Sequence, residues 1–188
     1  SIRHKEYEQI SANDNFTMLP SYSDFSLIDL SLSLAQYMKS LSPTRQRILQ
    51  YALIDEYSSS EIAAKMQLSV QYVNRIKKEF QEKVKADIAS AKEQSDFVIV
   101  CPHWGTEYSL QPDSMQKKWT KIFAESGADL VLGTHPHVIE PIEWVEDETT
   151  GHQMLVYYSL GNFVNWTSSS GDGIANRMVG GMAEITVG

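Results

Sequence analysis

The sequence predicts an α/β fold: a partial sheet built around a βαβ unit and preceded by an all-α segment. Three observations point that way. The hydrophobic period changes near residue 85, from three-and-four helical spacing to short apolar runs bounded by turn formers. Charge changes with it. Residues 1–85 carry 11 Lys and Arg against 10 Asp and Glu, a net of +1, whereas residues 86–188 carry 5 against 14, a net of −9. Two short apolar runs, Asp96–Cys101 and Ala128–Gly133, flank one amphipathic helix, the pattern of parallel strands joined by a helical crossover.

Composition narrows the function classes. At 42% hydrophobic and 21% charged residues, the 188-residue chain is too apolar for wholesale disorder. No apolar run approaches the roughly 20 residues of a membrane helix, so no membrane span is expected. The opening Ser1-Ile2-Arg3-His4-Lys5-Glu6 is charged and lacks the apolar core of a secretory signal. A single cysteine excludes a disulfide framework and a multi-cysteine zinc site, and Cys101 reads as a buried strand residue. The −9 half is unsuited to nucleic acid.

Residues 1–40 read as a polar leader and a first helix, with Leu27, Leu30, Leu34 and Met38 on its apolar face. Ser42-Pro43 opens the next helix, where Pro suits the first turn, and Ile48, Leu49, Ala52 and Leu53 form its buried stripe. Ser58 and Glu61 have capping-box spacing at the head of a short helix that ends at Met66. After a turn at Gln67-Leu68, Ser69 caps a helix from Val70 to about Lys83. Its Val73, Ile76 and Phe80 face inward, and Gln71, Asn74, Arg75 and Lys78 face outward.

Two helices joined by a tight turn, the second presenting amides and cations, fit a helix-turn-helix, because Gln and Asn pair with adenine edges and Arg and Lys reach guanine or phosphate. Residues 41–82 resemble the promoter-reading helix-turn-helix of bacterial sigma factors, through Glu61-Ile62-Ala63, Leu68-Ser69 and Val73 and the preceding Leu41–Leu49. That resemblance implies DNA or RNA polymerase as partner and a cytoplasmic location. Gln67 stands where such turns place Gly, and a positive φ is strained for Gln. The competing reading is a helical bundle with a solvated polar face.

In the second half, residues 86–95 read as the last turns of a helix, leading into the first strand. Asp113 to Glu125 is helical, with Met115, Trp119, Ile122 and Phe123 on one face and Gly127 after its end. Residues 139–146 and 154–160 form a hairpin around Asp147-Glu148-Thr149-Thr150-Gly151. Residues 167–173 are a Ser/Gly/Asp loop, and Met182 to Val187 is a closing strand.

Histidine follows both parallel strands: His103 after the first, His135 and His137 after the second. Ligands collect outside such strand ends in α/β sheets, and imidazoles are common ligands for zinc, iron, manganese or nickel. These three are the candidate metal ligands. Thr134 and Asn162 are candidate hydrogen-bonding supports, and Glu107 a supporting or substrate-facing carboxylate. His4 and His152 read as ordinary hydrogen-bonded residues, Trp104 and Trp119 as core or pocket wall.

Three ordered motifs resemble the CapA family of poly-γ-glutamate capsule biosynthesis proteins, which has the calcineurin-like metallophosphoesterase fold. They are His103-Trp104-Gly105-Thr106-Glu107-Tyr108, then Gly127 to Val138 with Gly133-Thr134-His135-Pro136-His137, then Tyr158-Ser159-Leu160-Gly161-Asn162-Phe163. The resemblance covers about residues 84–188 and implies a partial metallophosphoesterase-like sheet, with His103, His135 and His137 as metal-site histidines. It further implies a divalent transition metal (Mn, Fe or Zn) and a capsule-synthesis complex at the cell envelope. The family's earlier Asp and Asn-His motifs have no counterpart in residues 1–83, which contain neither Gly-Asp nor Asn-His. A two-metal phosphoesterase needs a bridging carboxylate, so one ion is expected and hydrolytic competence is left open. The division expected is 1–40, 41–83 and 84–188. The alternatives are a DNA-binding regulator with a passive C-terminal body, or a recombined chain without activity of its own.

Overall fold

A computed structural model describes residues 36–55, 57–165 and 170–186. The leader, most of the first expected helix and part of the Ser/Gly/Asp loop lie outside these residues. Residues 36–40 are helical, and Tyr37 and Met38 pack against the core.

Helix α1, Pro43–Leu53, begins at its proline and buries Ile48, Leu49 and Ala52. Helix α2, Ser59–Met66, is headed by the expected capping box: the Glu61 amide donates to Ser58 Oγ at 3.3 Å and the Ser58 amide to Glu61 Oε2 at 2.8 Å. Each such bond satisfies an amide that the first helical turn would leave unpaired. The turn after α2 carries the strain foreseen for it, with Gln67 left-handed at φ 55° and ψ 44°.

Helix α3, Val70–Gln94, runs 25 residues and joins what the sequence presents as two helical stretches. Its Val73, Ile76, Phe80, Val84, Ile88 and Ala91 recur at three- and four-residue intervals, one unbroken buried stripe. A single apolar cluster follows that stripe from Ile48, Leu49 and Ile62 to Phe123, Val131, Met154, Val156 and Tyr158. Each fully buried aliphatic side chain there contributes about 1.5–3 kcal/mol. Polar bonds tie the far end of α3 to the sheet: Lys92 Nζ lies 2.8 and 2.9 Å from the two Asp129 oxygens, and Asp129 Oδ2 accepts the Val98 amide at 2.7 Å.

Strand β1 is Ile99–Val100, helix α4 Ser114–Glu125, strand β2 Leu130–Leu132, strand β3 Ile142–Glu146, strand β4 Gln153–Tyr157 and helix α5 Ile174–Arg177. The sheet order is β1-β2-β4-β3, with β1, β2 and β4 parallel and β3 antiparallel to β4. The expected βαβ unit and hairpin are both present. Asp113 caps α4 through a second capping box with Gln116.

Two expectations are corrected. Residues 181–186 form no strand; the segment is held by the Gly161–Gly180 bridge and the Gly181 amide on Leu160 O at 2.7 Å. Two adjoining glycines and few partners leave it no ladder to extend. Cys101 is exposed rather than buried, because β1 ends at Val100 before reaching it.

Register assigns Val100, Val131, Val156 and Val145 to one face of the sheet, in contact with the main core. The opposite face carries Ile99, Ile142 and Trp144, which are 47%, 55% and 67% exposed.

The Gln67 conformation is directly testable. Gln67→Gly removes a Cβ clash in the left-handed region and should raise unfolding free energy by about 0.5–1 kcal/mol after the added chain entropy of glycine. Urea denaturation of the two proteins measures it, and a destabilised variant contradicts the geometry.

Candidate metal centre

The parallel strands β1, β2 and β4 end on one edge, and each runs directly into a loop that carries candidate site residues. Backbone bonds continue the pairing past the strand ends. Thr134 N donates to Pro102 O at 3.0 Å, Trp104 N to Thr134 O at 3.0 Å and Gly133 N to Tyr157 O at 2.8 Å. Trp104 is buried between Phe123 and Tyr158, and its indole N–H donates to Tyr158 O at 2.9 Å. Gly133 fills the remaining space: a Cβ there would stand 2.0 Å from Tyr158 O and 2.4 Å from Trp104 Nε1.

From this clamp the loops converge. The His103 and His135 rings are 4.5 Å apart by their centroids, and His135 and His137 are 5.8 Å apart. Glu107, His135 and His137 each offer a ligand atom within 4.8 Å of the others. His103 lies beside this group, and its ring is held below the usual histidine range first by burial and then by the charges of His135 and His137. That favours the neutral imidazole, the ligating form.

The loop geometry is strained where the donors sit. His135 and His137 have φ of 104° and 59°, and Tyr108 has 65°. A side chain in this region costs about 1–3 kcal/mol, and such strain collects where the surrounding structure enforces it. Here Tyr108 N donates to Pro136 O at 2.8 Å, tying the two histidine loops together.

Asn162 grips His137 at two points. Its Nδ2 donates to His137 O at 3.0 Å, and its Oδ1 lies 2.8 Å from His137 Nδ1. A carboxamide oxygen only accepts, so Nδ1 carries the proton and Nε2 is left with the lone pair. Thr134 serves differently: its hydroxyl donates to Pro102 O at 3.2 Å, with His103 Nδ1 at 3.4 Å, holding the strand ends.

Some neighbours gave no signal in the sequence. The Arg177 guanidinium lies 3.6 Å over the Tyr108 ring, and its backbone oxygen accepts from Asn162 and Asn165. Gln116, buried beneath Gly105, donates to Glu140 Oε2 at 2.7 Å, and Glu140 Oε1 has no partner among the described residues. Capping-box spacing with Asp113 marks Gln116; nothing local marks Glu140. Cys101 keeps a thiol pushed up by partial burial, so it is not an activated nucleophile.

The α3 residues Gln71, Asn74, Arg75 and Lys78 are exposed, as their spacing implies. Arg75 pairs with Glu79 at 3.7 Å and stacks over Tyr72, and none of the four lies among the ligand cluster.

The profile of the bacterial capsule synthesis protein PGA_cap family matches residues 32–167. The chain belongs to this family. That match takes in the helical half together with the sheet, so the PGA_cap family accounts for both, and the sigma-like regulator reading is not favoured. The mixed four-stranded sheet is consistent with a partial metallophosphoesterase-like fold; a helix-turn-helix unit is not confirmed. The chain is 43% identical over 83 residues to the PGA biosynthesis protein CapA of Bacillus subtilis (strain 168), covering 43% of this chain and 20% of that protein. It is 38% identical over 79 residues to the capsule biosynthesis protein CapA of Bacillus anthracis, covering 40% and 18%. The chain thus spans about a fifth of the length of these curated relatives. No described helix is long and apolar enough to cross a membrane.

Two outcomes follow from this geometry. Gly133→Ala forces apart backbone and indole and should cost about 2–3 kcal/mol or more in denaturant unfolding; a loss under 1 kcal/mol would contradict the close approach. Burial pushes the Glu140 carboxyl above its ordinary value of 4.5, against the hydrogen bond from Gln116. Its folded pKa therefore exceeds the unfolded one, and its contribution to stability is fullest below about pH 4.5, declining as pH rises through the raised value. Glu140→Gln should flatten that decline in a series of melts across the window.

Proposed function

We propose that the chain works in the synthesis of a poly-γ-glutamate capsule at the cell envelope, and that its strand-end loops hold one divalent transition ion. The observation that carries this reading is the Glu107, His135 and His137 cluster on the parallel edge of a PGA_cap chain.

The donor set fits the group. Two imidazoles and a carboxylate suit Zn, Fe or Mn as three ligands; His103, whose ring lies 4.5 Å from that of His135, stands next to this set but is not part of it. Metal–ligand distances are about 2.0–2.2 Å, so small side-chain movements close atoms already within 4.8 Å onto one ion. No Asp joins the cluster among the described residues, which favours one ion over a dinuclear pair.

When bound, such an ion supplies Lewis-acid polarisation of a phosphoryl or acyl oxygen. The chain's own residues do the rest of the positioning. Asn162 fixes the His137 tautomer and ring plane, and Thr134 keeps the His103 loop against the His135 loop. On this reading residues 41–83 brace the α/β part, 84–188, instead of forming a separate DNA-binding unit.

Elemental analysis of the purified chain should find about one equivalent of Mn, Fe or Zn. His135→Ala with His137→Ala should abolish it, and stoichiometric metal in that folded double variant defeats the assignment. Asn162→Ala should weaken metal affinity about 10–100-fold, as loss of an orienting hydrogen bond does.

A further inference from the structure

The outward face of α3 does not meet open solvent along its whole length. Asn74, Lys77 and Lys78 look across a cavity of about 370 Å³ at Ser114 and Lys118 of α4, with Trp119 in its wall. We propose that this cleft binds a carboxylate-bearing chain, which under the capsule reading above, on which the identity of the ligand rests, is a stretch of poly-γ-glutamate.

Charge is the first reason. The protein carries a net charge of −8, yet this cleft is lined by three lysines and no carboxylate. Neither Lys78 nor Lys118 has an ion-pair partner among the described residues. The Lys77 ammonium donates to Ser59 Oγ at 3.3 Å; burial, and then the Lys118 charge, hold it below the usual lysine range. Like charges gathered without an acid between them are relieved by an incoming anion. A local positive concavity of this kind attracts polyanions even on an acidic protein.

Shape and donors are the second. The volume falls within the range of built ligand pockets. The Asn74 amide and the Ser114 hydroxyl stand among the cations as additional hydrogen-bond donors for carboxylate oxygens. A DNA duplex fits less well. Major-groove reading needs a helix that can sink its polar face into a groove about 12 Å wide. Here Asn74 and Lys78, on one flank of the helix, border a concavity shared with Ser114 and Lys118 of α4, whereas Gln71 and Arg75 line no part of it, so the polar residues do not act as one groove-reading surface.

The experiment is an anisotropy titration of a fluorescent γ-linked glutamate decamer with the full chain, at low salt and near 0.2 M. Saturable binding that weakens with salt is expected. Lys78→Glu and Lys118→Glu should each weaken it at least tenfold, while Lys65→Glu, the same charge change on α2, should alter it less than twofold. Affinity unchanged in the two cleft variants overturns the proposal. So does equal competition by duplex DNA or by inorganic phosphate, which would make the cleft a general polyanion or small-anion site. The His135→Ala, His137→Ala protein should bind the decamer like the parent; metal retained in it alongside unaltered decamer binding would therefore count against the ion assignment alone.

Discussion

The candidate centre depends on one close approach. Gly133 has no side chain, so the β2 backbone lies against Tyr158 O while the Trp104 indole reaches the same oxygen from the other side. Three strand exits are pinned within one small volume by that contact. His103 precedes Trp104, His135 and His137 follow Gly133, and Asn162 follows Tyr158 by four residues. Their side chains meet because the backbones beneath them cannot separate. A bulkier residue at position 133 would disperse donors that it never touches.

The rigidity of that base lets the loops above it hold unfavourable backbone. His135, His137 and Tyr108 are all left-handed, and the bond from Tyr108 N to Pro136 O sets the loops against each other. Free loops would relax out of these conformations, releasing a few kcal/mol. Pre-set donors lose less entropy when they close on a ligand, so strain held in the free protein lowers the cost of binding. Burial works in the same direction at His103 by favouring the neutral ring.

Much of this arrangement was legible in the residues, and the failures have physical causes. The α3 stripe, both capping residues of the helical half, the parallel pair and the hairpin followed from period, turn chemistry and spacing. The proximity of the His103, His135 and His137 rings followed from strand ends lying on one edge, but the ligand-atom cluster joins Glu107 with His135 and His137 and leaves His103 beside it. Glu107 was visible only as a motif carboxylate, because its approach to His135 and His137 depends on how the loop after Trp104 folds back. The Gln116–Glu140 pair and the Arg177–Tyr108 stack join residues 24 and 69 positions apart, beyond any local pattern. The expected strand is not formed over its described residues 182–186, because alternating apolar residues form a strand only where a partner ladder is available. The outward polar residues of α3 are exposed, as their spacing implies; that Asn74 and Lys78 border a cleft is set by α4, more than thirty residues away.

The partly exposed face of the sheet governs how this stretch behaves when isolated. Leu130 on that face is buried, but Ile99, Ile142 and Trp144 present apolar surface to water, with no helix over them among the described residues. Mutual repulsion between molecules, each bearing eight excess negative charges, opposes contact through that surface at low ionic strength. Added salt shortens the reach of that repulsion without weakening hydrophobic attraction. Association should therefore strengthen with ionic strength, the reverse of the usual behaviour of contacts held by opposite charges.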